Sequence, residues 1–157
     1  MTAARPVVKV LRLPGSDADV PLPVYETAGA AGADLRANLP EENRVLGIIL
    51  GPSERRVVPT GLSVEIPEGF EMQIRPRSGL ALKYGITLLN TPGTIDSDYR
   101  GPLGVLLVNL SRVSYVIHHG DRIAQAVVSP VVQARFETAE RLGETARGAG
   151  GFGSTGR

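Results

Sequence analysis

The chain's 157 residues and 16.6 kDa suit one domain built around one core. Its 17 basic and 16 acidic residues leave a formal charge of +1, which excludes a global field for gathering nucleic acid or an anionic membrane, so any anion must be held locally. The absence of cysteine excludes a disulfide framework, Cys-ligated zinc and a thiol nucleophile. With 3 Phe, 4 Tyr and no Trp, the interior must be filled by Val, Leu, Ile and Ala from many short segments.

The start, Met1 to Pro6, carries no apolar signal region, and no apolar run approaches membrane-spanning length, which predicts a cytoplasmic protein. Alternating apolar residues then predict half-buried strands at 8–13, 45–50, 56–58, 62–66, 70–74, 86–89, 103–110, 113–117, 122–128 and 131–136. Pro14-Gly15, Gly51-Pro52, Pro67-Glu68-Gly69, Pro92-Gly93 and His119-Gly120-Asp121 supply the turns between many of them. The spacing predicts an all-β sandwich or jelly roll with at most one short helix, residues 78–83 with Ser78 as N-cap. His118 and His119 are adjacent and point apart on a strand, so they read as a polar turn, not a metal site. Residues 1–136 form the predicted β domain, and residues 137–157 a polar stretch leading to a Gly-rich arm that is mobile when empty.

That arm, Arg147-Gly-Ala-Gly-Gly-Phe-Gly-Ser-Thr-Gly156, contains Gly-x-Gly-x-x-Gly from Gly148 to Gly153. A dinucleotide fingerprint needs a strand before and a helix after, and four residues are too few for that helix; a Walker loop also fails, because no Gly-Lys-Ser/Thr occurs. Glycines still let backbone N–H groups crowd onto phosphate oxygens, Arg147 supplies a bidentate fork, Ser154 and Thr155 offer hydroxyls, and Phe152 can stack on a base. A disordered tail is the plainer alternative for this segment alone.

Arg75-Pro-Arg-Ser-Gly79 ends a strand and opens a helical turn, so Arg77, the Ser78 hydroxyl and free N–H groups can face one anion. Asn90-Thr-Pro-Gly-Thr-Ile-Asp-Ser-Asp-Tyr-Arg-Gly101 packs an amide, two carboxylates and a phenol around a turn. Either Asp96 or Asp98 can serve as general base or magnesium ligand there, or both simply stabilise an Asx-rich turn. Asp34 and Gln125 are weak signals singly.

Together the segments Ala31-Gly-Ala-Asp-Leu35, Pro76-Arg-Ser-Gly-Leu-Ala81, Gly93-Thr-Ile-Asp-Ser-Asp-Tyr-Arg-Gly101, Arg122-Ile-Ala-Gln125 and the arm resemble the trimeric deoxyuridine triphosphatases (dUTP diphosphatases), over about residues 25–156. The resemblance implies a jelly-roll-like homotrimer with three interfacial sites, the nucleoside hairpin, the phosphate contacts and the arm each coming from a different subunit. It implies hydrolysis of dUTP to dUMP and pyrophosphate, which limits uracil in DNA and supplies dUMP for dTMP synthesis. Asp96 is then the base that deprotonates the attacking water, and Asp98 is structural. Arg77, Ser78, Gly79, Gln125, Arg147, Ser154 and Thr155 take the phosphates. Asn90, Thr94, Ile95, Asp96, Tyr99, Gly104, Phe152 and Gly153 take uracil and deoxyribose, Asn90 by side chain or backbone. Mg²⁺ is held by phosphates and waters without a direct protein ligand, with Asp34 in the outer shell. The related dCTP deaminases carry a glutamate where this chain has Gly104-Val-Leu-Leu-Val108, and they lack the Phe-Gly-Ser-Thr arm. A nucleotide-sensing partner protein is the non-enzymatic alternative, against which the retained Asp96 speaks.

Overall fold

The computed structural model describes residues 5–151. Among them, ten strands and one α-helix follow in order, with a 3-10 turn Glu41–Asn43 between the second and third strands: β1 Lys9–Arg12, β2 Ala33–Arg36, β3 Ile48–Leu50, β4 Arg55–Glu65, β5 Phe70–Arg75, α1 Ser78–Tyr84, β6 Ile86–Leu88, β7 Gly93–Ile95, β8 Pro102–Asn109, β9 Tyr115–Ile117 and β10 Arg122–Pro130. They form two four-stranded antiparallel sheets, ordered β1-β4-β8-β6 and β2-β10-β5-β7, and a two-stranded ribbon of β3 and β9. This is the all-β sandwich that the alternation predicts.

Period-two alternation sends every second side chain inward. Val58, Val64, Leu103, Val105 and Leu107 of the first sheet join Leu35, Met72, Ile74, Ala124 and Ala126 of the second in one buried cluster. The few buried polar groups are hydrogen bonded: the fully buried Asn109 donates its amide to the Leu50 and Val113 carbonyls and so ties the β3–β9 ribbon to β8. The double histidine forms the predicted turn, Gly120 taking the left-handed φ of 81°. His119 Nδ1 accepts the Leu39 N–H at 3.0 Å, so the ring proton lies on Nε2 and donates to Asp17 Oδ2 at 3.1 Å.

Several expectations need correction. Segments 56–58 and 62–66 are one bent strand, β4, because the register slips between Pro59 and Leu62, where Gly61 adopts φ 69°. Residues 131–136 form no strand: β10 ends at Pro130, both flanks of β10 are already paired, and Val132 and Phe136 are exposed. Strand β9 begins at Tyr115 and β3 at Ile48, leaving Val113, Val45 and Leu46 in exposed turns. Helix α1 is capped by Arg77, not Ser78. Arg77 keeps an extended backbone, φ −95° and ψ 126°, after Pro76, so helical geometry starts at Ser78 and no side chain caps it. Strands β2 and β7 were not predicted, and both carry site residues.

Candidate active site

Two groups of site residues flank β5, and the candidate base Asp96 of the second lies at the end of the strand opposite Arg77 of the first. The first is built on the outer face of the second sheet. Ala33, Leu35, Ala124 and Ala126 point inward, so Asp34 and Gln125 point outward, and the pairing sets them directly opposite each other. One further residue joins them through a bulge. The register of β10 shifts between Arg122 and Ala124, which reverses the parity of the strand and turns Arg122 onto the Gln125 face.

Asp34 is the hub of this group. Its Oδ1 lies 3.1 Å from Arg77 Nε and its Oδ2 3.1 Å from Arg122 Nη1, and its side chain is only 12% exposed. Arg77 Nη1 also donates to the Arg122 carbonyl at 3.1 Å, so one carboxylate and one carbonyl fix the fork in place. Gln125 donates Nε2 to the Pro76 carbonyl at 3.0 Å, tying β10 to the turn that opens α1. A Cβ on Gly32 would overlap the Gln125 side-chain oxygen and come within 3.1 Å of its Cβ, so glycine is what lets this amide lie flat against β2. Ser78 and Gly79 form the first turn of α1, and open space faces Gly79. The cluster thus presents two anchored guanidinium groups, an amide, a hydroxyl and free helix N–H groups, a donor set for phosphate.

The second group is the β6–β7 hairpin. Leu89 N–H donates to the Leu106 carbonyl, and beyond it the chain leaves β8 to pair with β5, Gly93 opposite Ile74. In a strand, residues two apart present backbone groups to the same side, so Gly104 turns its N–H and C=O towards the gap where β6 has ended. The crevice left there has a volume of about 40 Å³ and is lined by Ile74, Leu88, Asn90, Gly93, Thr94, Ile95, Gly104 and Leu106. Asn90 packs on Gly93, its Nδ2 3.1 Å from where a Cβ would stand. Thr91-Pro92 at the tip is a cis peptide. Tyr99 folds back over Gly101, its hydroxyl donating to the Pro102 carbonyl at 3.0 Å. Arg100 Nη1 donates to the Ser97 and Tyr99 carbonyls and braces the turn that carries Asp96.

Asp96 follows β7 directly, is exposed, and makes no salt bridge among the described residues. It borders a cleft of about 980 Å³ whose charged lining is Glu65, Glu68, Glu71, Asp96 and Asp98 against Arg100. A hydrogen bond from Lys9 holds the Glu65 carboxyl below its ordinary range, and the Lys9 ammonium pairs with its charge.

The register gives the separation of Asp96 from the phosphate cluster. Ile95 is paired with Met72, which puts Asp96 level with Glu71, whereas Arg77 lies six residues further along the same chain direction. At roughly 3.3 Å per residue that is about 20 Å. The structure therefore brings together Asp34, Arg77 and Gln125 beside Ser78 and Gly79, and separately Asn90, Thr94, Ile95 and Gly104 with Asp96 and Tyr99 following. Arg147 joins neither: its Nε donates to the Gly150 carbonyl within the arm. Phe152, Gly153, Ser154 and Thr155 lie outside the described residues.

A family model for dUTPase matches residues 18–156. The chain belongs to the dUTPase family. It is 67% identical to the deoxyuridine 5'-triphosphate nucleotidohydrolase of Dinoroseobacter shibae over 96% of this chain and 97% of that one. With the enzyme of the same name from Brucella melitensis the identity is 57%, covering 99% of both chains. Among solved structures, a Staphylococcus bacteriophage 80alpha dUTPase with dUpNHpp superposes with a TM-score of 0.82 at 26% identity, over 96% of this chain and 99% of that one. The phage phi11 dUTPase of S. aureus, in which coordination of a structural Mg(II) ion is described, shares the fold with a TM-score of 0.74 at 22% identity, over 88% of this chain and 99% of that one. The jelly-roll fold expected from the resemblance is thus that of this chain.

Two residues of the phosphate cluster escaped the sequence reading, Arg122 and Gly32. Gly32 stands within the quoted Ala31-Gly-Ala-Asp-Leu35 segment, two residues before Asp34, where it was given no role of its own. Arg122 opens the quoted Arg122-Ile-Ala-Gln125 segment, but strict alternation puts it on the face opposite Gln125.

Proposed function

We propose that the chain hydrolyses dUTP to dUMP and pyrophosphate at sites shared between copies of a homotrimer. The observation that carries this reading is the separation of about 20 Å between Asp96 and Arg77 along β5. A base and a phosphate cradle that far apart cannot act on one phosphorus within one chain. They can do so when the hairpin of one copy meets the Asp34–Arg77–Gln125 cluster of another, and the arm with Arg147, Phe152, Gly153, Ser154 and Thr155 then closes from a third. The charge distribution supports the same arrangement, because the acidic cleft around Asp96 would repel a triphosphate unless cations entered from a neighbour.

In this mechanism Asp96 takes a proton from a water that attacks the α-phosphorus in line. The new O–P bond forms as the bridging bond to the β-phosphate breaks, and pyrophosphate leaves with the electron pair. Arg77, the Ser78 hydroxyl, the Gly79 N–H and the Gln125 amide stabilise charge on the phosphate oxygens. Uracil enters the crevice, where Gly104 backbone and the Asn90, Thr94 and Ile95 hairpin match its N3 donor and O4 acceptor. Cytosine reverses that polarity and leaves buried groups unpaired. Tyr99 occupies the space of a ribose 2′-hydroxyl.

The residues present fit an Mg²⁺ held through the substrate. Among the described residues no group of three His, Asp or Glu can hold a metal, and both Asp34 oxygens are engaged by guanidinium groups. Bound to the triphosphate and to waters, Mg²⁺ would neutralise phosphate charge. Among the described residues no helix is long and apolar enough to cross a membrane, and a cytoplasmic role in limiting uracil in DNA and supplying dUMP is the cellular counterpart of this activity.

Incubation of the pure protein with dUTP, dCTP and dTTP plus Mg²⁺, with pyrophosphate and ammonia followed separately, tests the proposal. Pyrophosphate from dUTP alone is the expected result. Ammonia from dCTP would establish a deaminase, and no pyrophosphate from dUTP would leave a nucleotide-sensing role.

A further inference from the structure

We propose that Arg75 is an additional triphosphate-binding cation, held in readiness by Gln73. This inference rests on reading the Asp34–Arg77–Gln125 cluster as the triphosphate site.

The pairing of the second sheet places three side chains in one cross-strand row. Gln125 stands opposite Asp34 on one side and opposite Arg75 on the other. Ile74 points into the core, so Arg75 points outward on the same face, with its Cα about 5 Å from that of Gln125. The row continues the phosphate cluster across β5, two residues before Arg77.

What distinguishes Arg75 is the way its charge is kept. Arg77 and Arg122 both contact Asp34, which offsets part of their charge. Arg75 has no carboxylate within ion-pair distance among the described residues. Its Nε and Nη2 instead donate to the neutral Gln73 Oε1, at 3.0 and 2.6 Å. Gln73 in turn donates Nε2 to Glu71 Oε1 at 2.6 Å. Interposing an amide lets the carboxylate orient the guanidinium without neutralising it. Two of the five N–H groups are used, and the other three stay available on an exposed side chain. A triphosphate carrying about four negative charges needs more cation than the Asp34-bound pair supplies, whereas a monophosphate needs less. Gln73 is on this account a positioning residue.

The test uses the full-length protein and two probes, the non-hydrolysable imido analogue of dUTP and dUMP. Arg75→Ala is expected to weaken the imido triphosphate roughly tenfold and dUMP by less than about twofold, as loss of a charge-assisted contact to the outer phosphates requires. Arg75→Lys should recover part of the loss, and Gln73→Ala should raise KM for dUTP severalfold with kcat retained. Unchanged imido-triphosphate affinity in Arg75→Ala would overturn the proposal. So would equal weakening of both probes together with loss of the oligomer, which would make Arg75 an assembly residue. Arg77→Ala and Gln125→Ala serve as controls: if they too leave triphosphate affinity unchanged, the phosphate reading of the whole cluster fails, and not only the part assigned to Arg75.

Discussion

At one end of β5, carboxylates surround Asp96, with Arg100 as the single cation among the described residues that line the cleft. At the other end, guanidinium groups surround Asp34. Both ends hold an aspartate beside glycines and turns, yet among the described residues only Asp34 is paired. The difference teaches why the two groups are kept apart within a copy. A guanidinium placed beside Asp96 would pair with it, as Arg77 does with Asp34, and the carboxylate would meet substrate already engaged. Separation along the strand leaves Asp96 without an ion-pair partner among the described residues until a phosphate cluster from another copy, carrying its own counter-charge, is brought up.

Changes at the two ends should therefore fail in different ways. The largest effect is expected from Asp96→Asn, which removes the base and keeps every phosphate donor: turnover should fall by about 10²–10⁴ while the imido analogue of dUTP still binds. Pre-steady-state kinetics and calorimetry on the same sample separate the two, and a near-normal rate would remove Asp96 from its role. Next comes the arm. Deleting residues 147–157 should slow catalysis sharply with the oligomer intact, and Phe152→Ala should cost on the order of 1–3 kcal/mol in kcat/KM if the ring stacks on uracil.

A smaller loss is expected at the cationic end from Gly32→Ala. The new Cβ would push the Gln125 amide away from the Pro76 carbonyl, raising KM roughly tenfold with little change in kcat. A fall in kcat alone would blur the distinction between the two ends. The smallest effect concerns stability far from either. The Asp19 N–H, and after it His119, hold the Asp17 carboxyl below its ordinary range. A depressed folded value means that its contribution is present above the unfolded pKa and is lost as pH falls through the folded one. Asp17→Asn should thus flatten the acid limb of a stability profile below about pH 4 and leave the neutral region's slope unchanged.

How much of this was legible in the residues depended on the kind of feature. Long alternating runs such as those of β8 and β10 announced themselves, because burial of one face leaves a period-two pattern. Strands β2 and β7 did not, since Gly32 and Gly93 and the turns beside them break the alternation around Asp34 and Thr94. Residues 131–136 alternate well and still form no strand, because a strand needs a partner and pairing is not a local property. The bulge in β10 was the least legible feature, a single extra residue that decides which face Arg122 shares. Motif order found the hairpin and the Arg77 turn. The placement of Asp96 and Arg77 at opposite ends of one strand came only from register.

The claim that catalysis joins the two ends across copies is tested most directly by mixing two inactive variants. Asp96→Asn lacks the base and Arg77→Ala lacks a phosphate anchor, and each should be nearly inactive alone. Co-expressed in equal amounts as mixed trimers, they should recover about one quarter of wild-type activity, because a site drawing these residues from two different copies finds both intact that often. Activity no greater than that of the two separate variants would place base and anchor in the same copy and contradict the account.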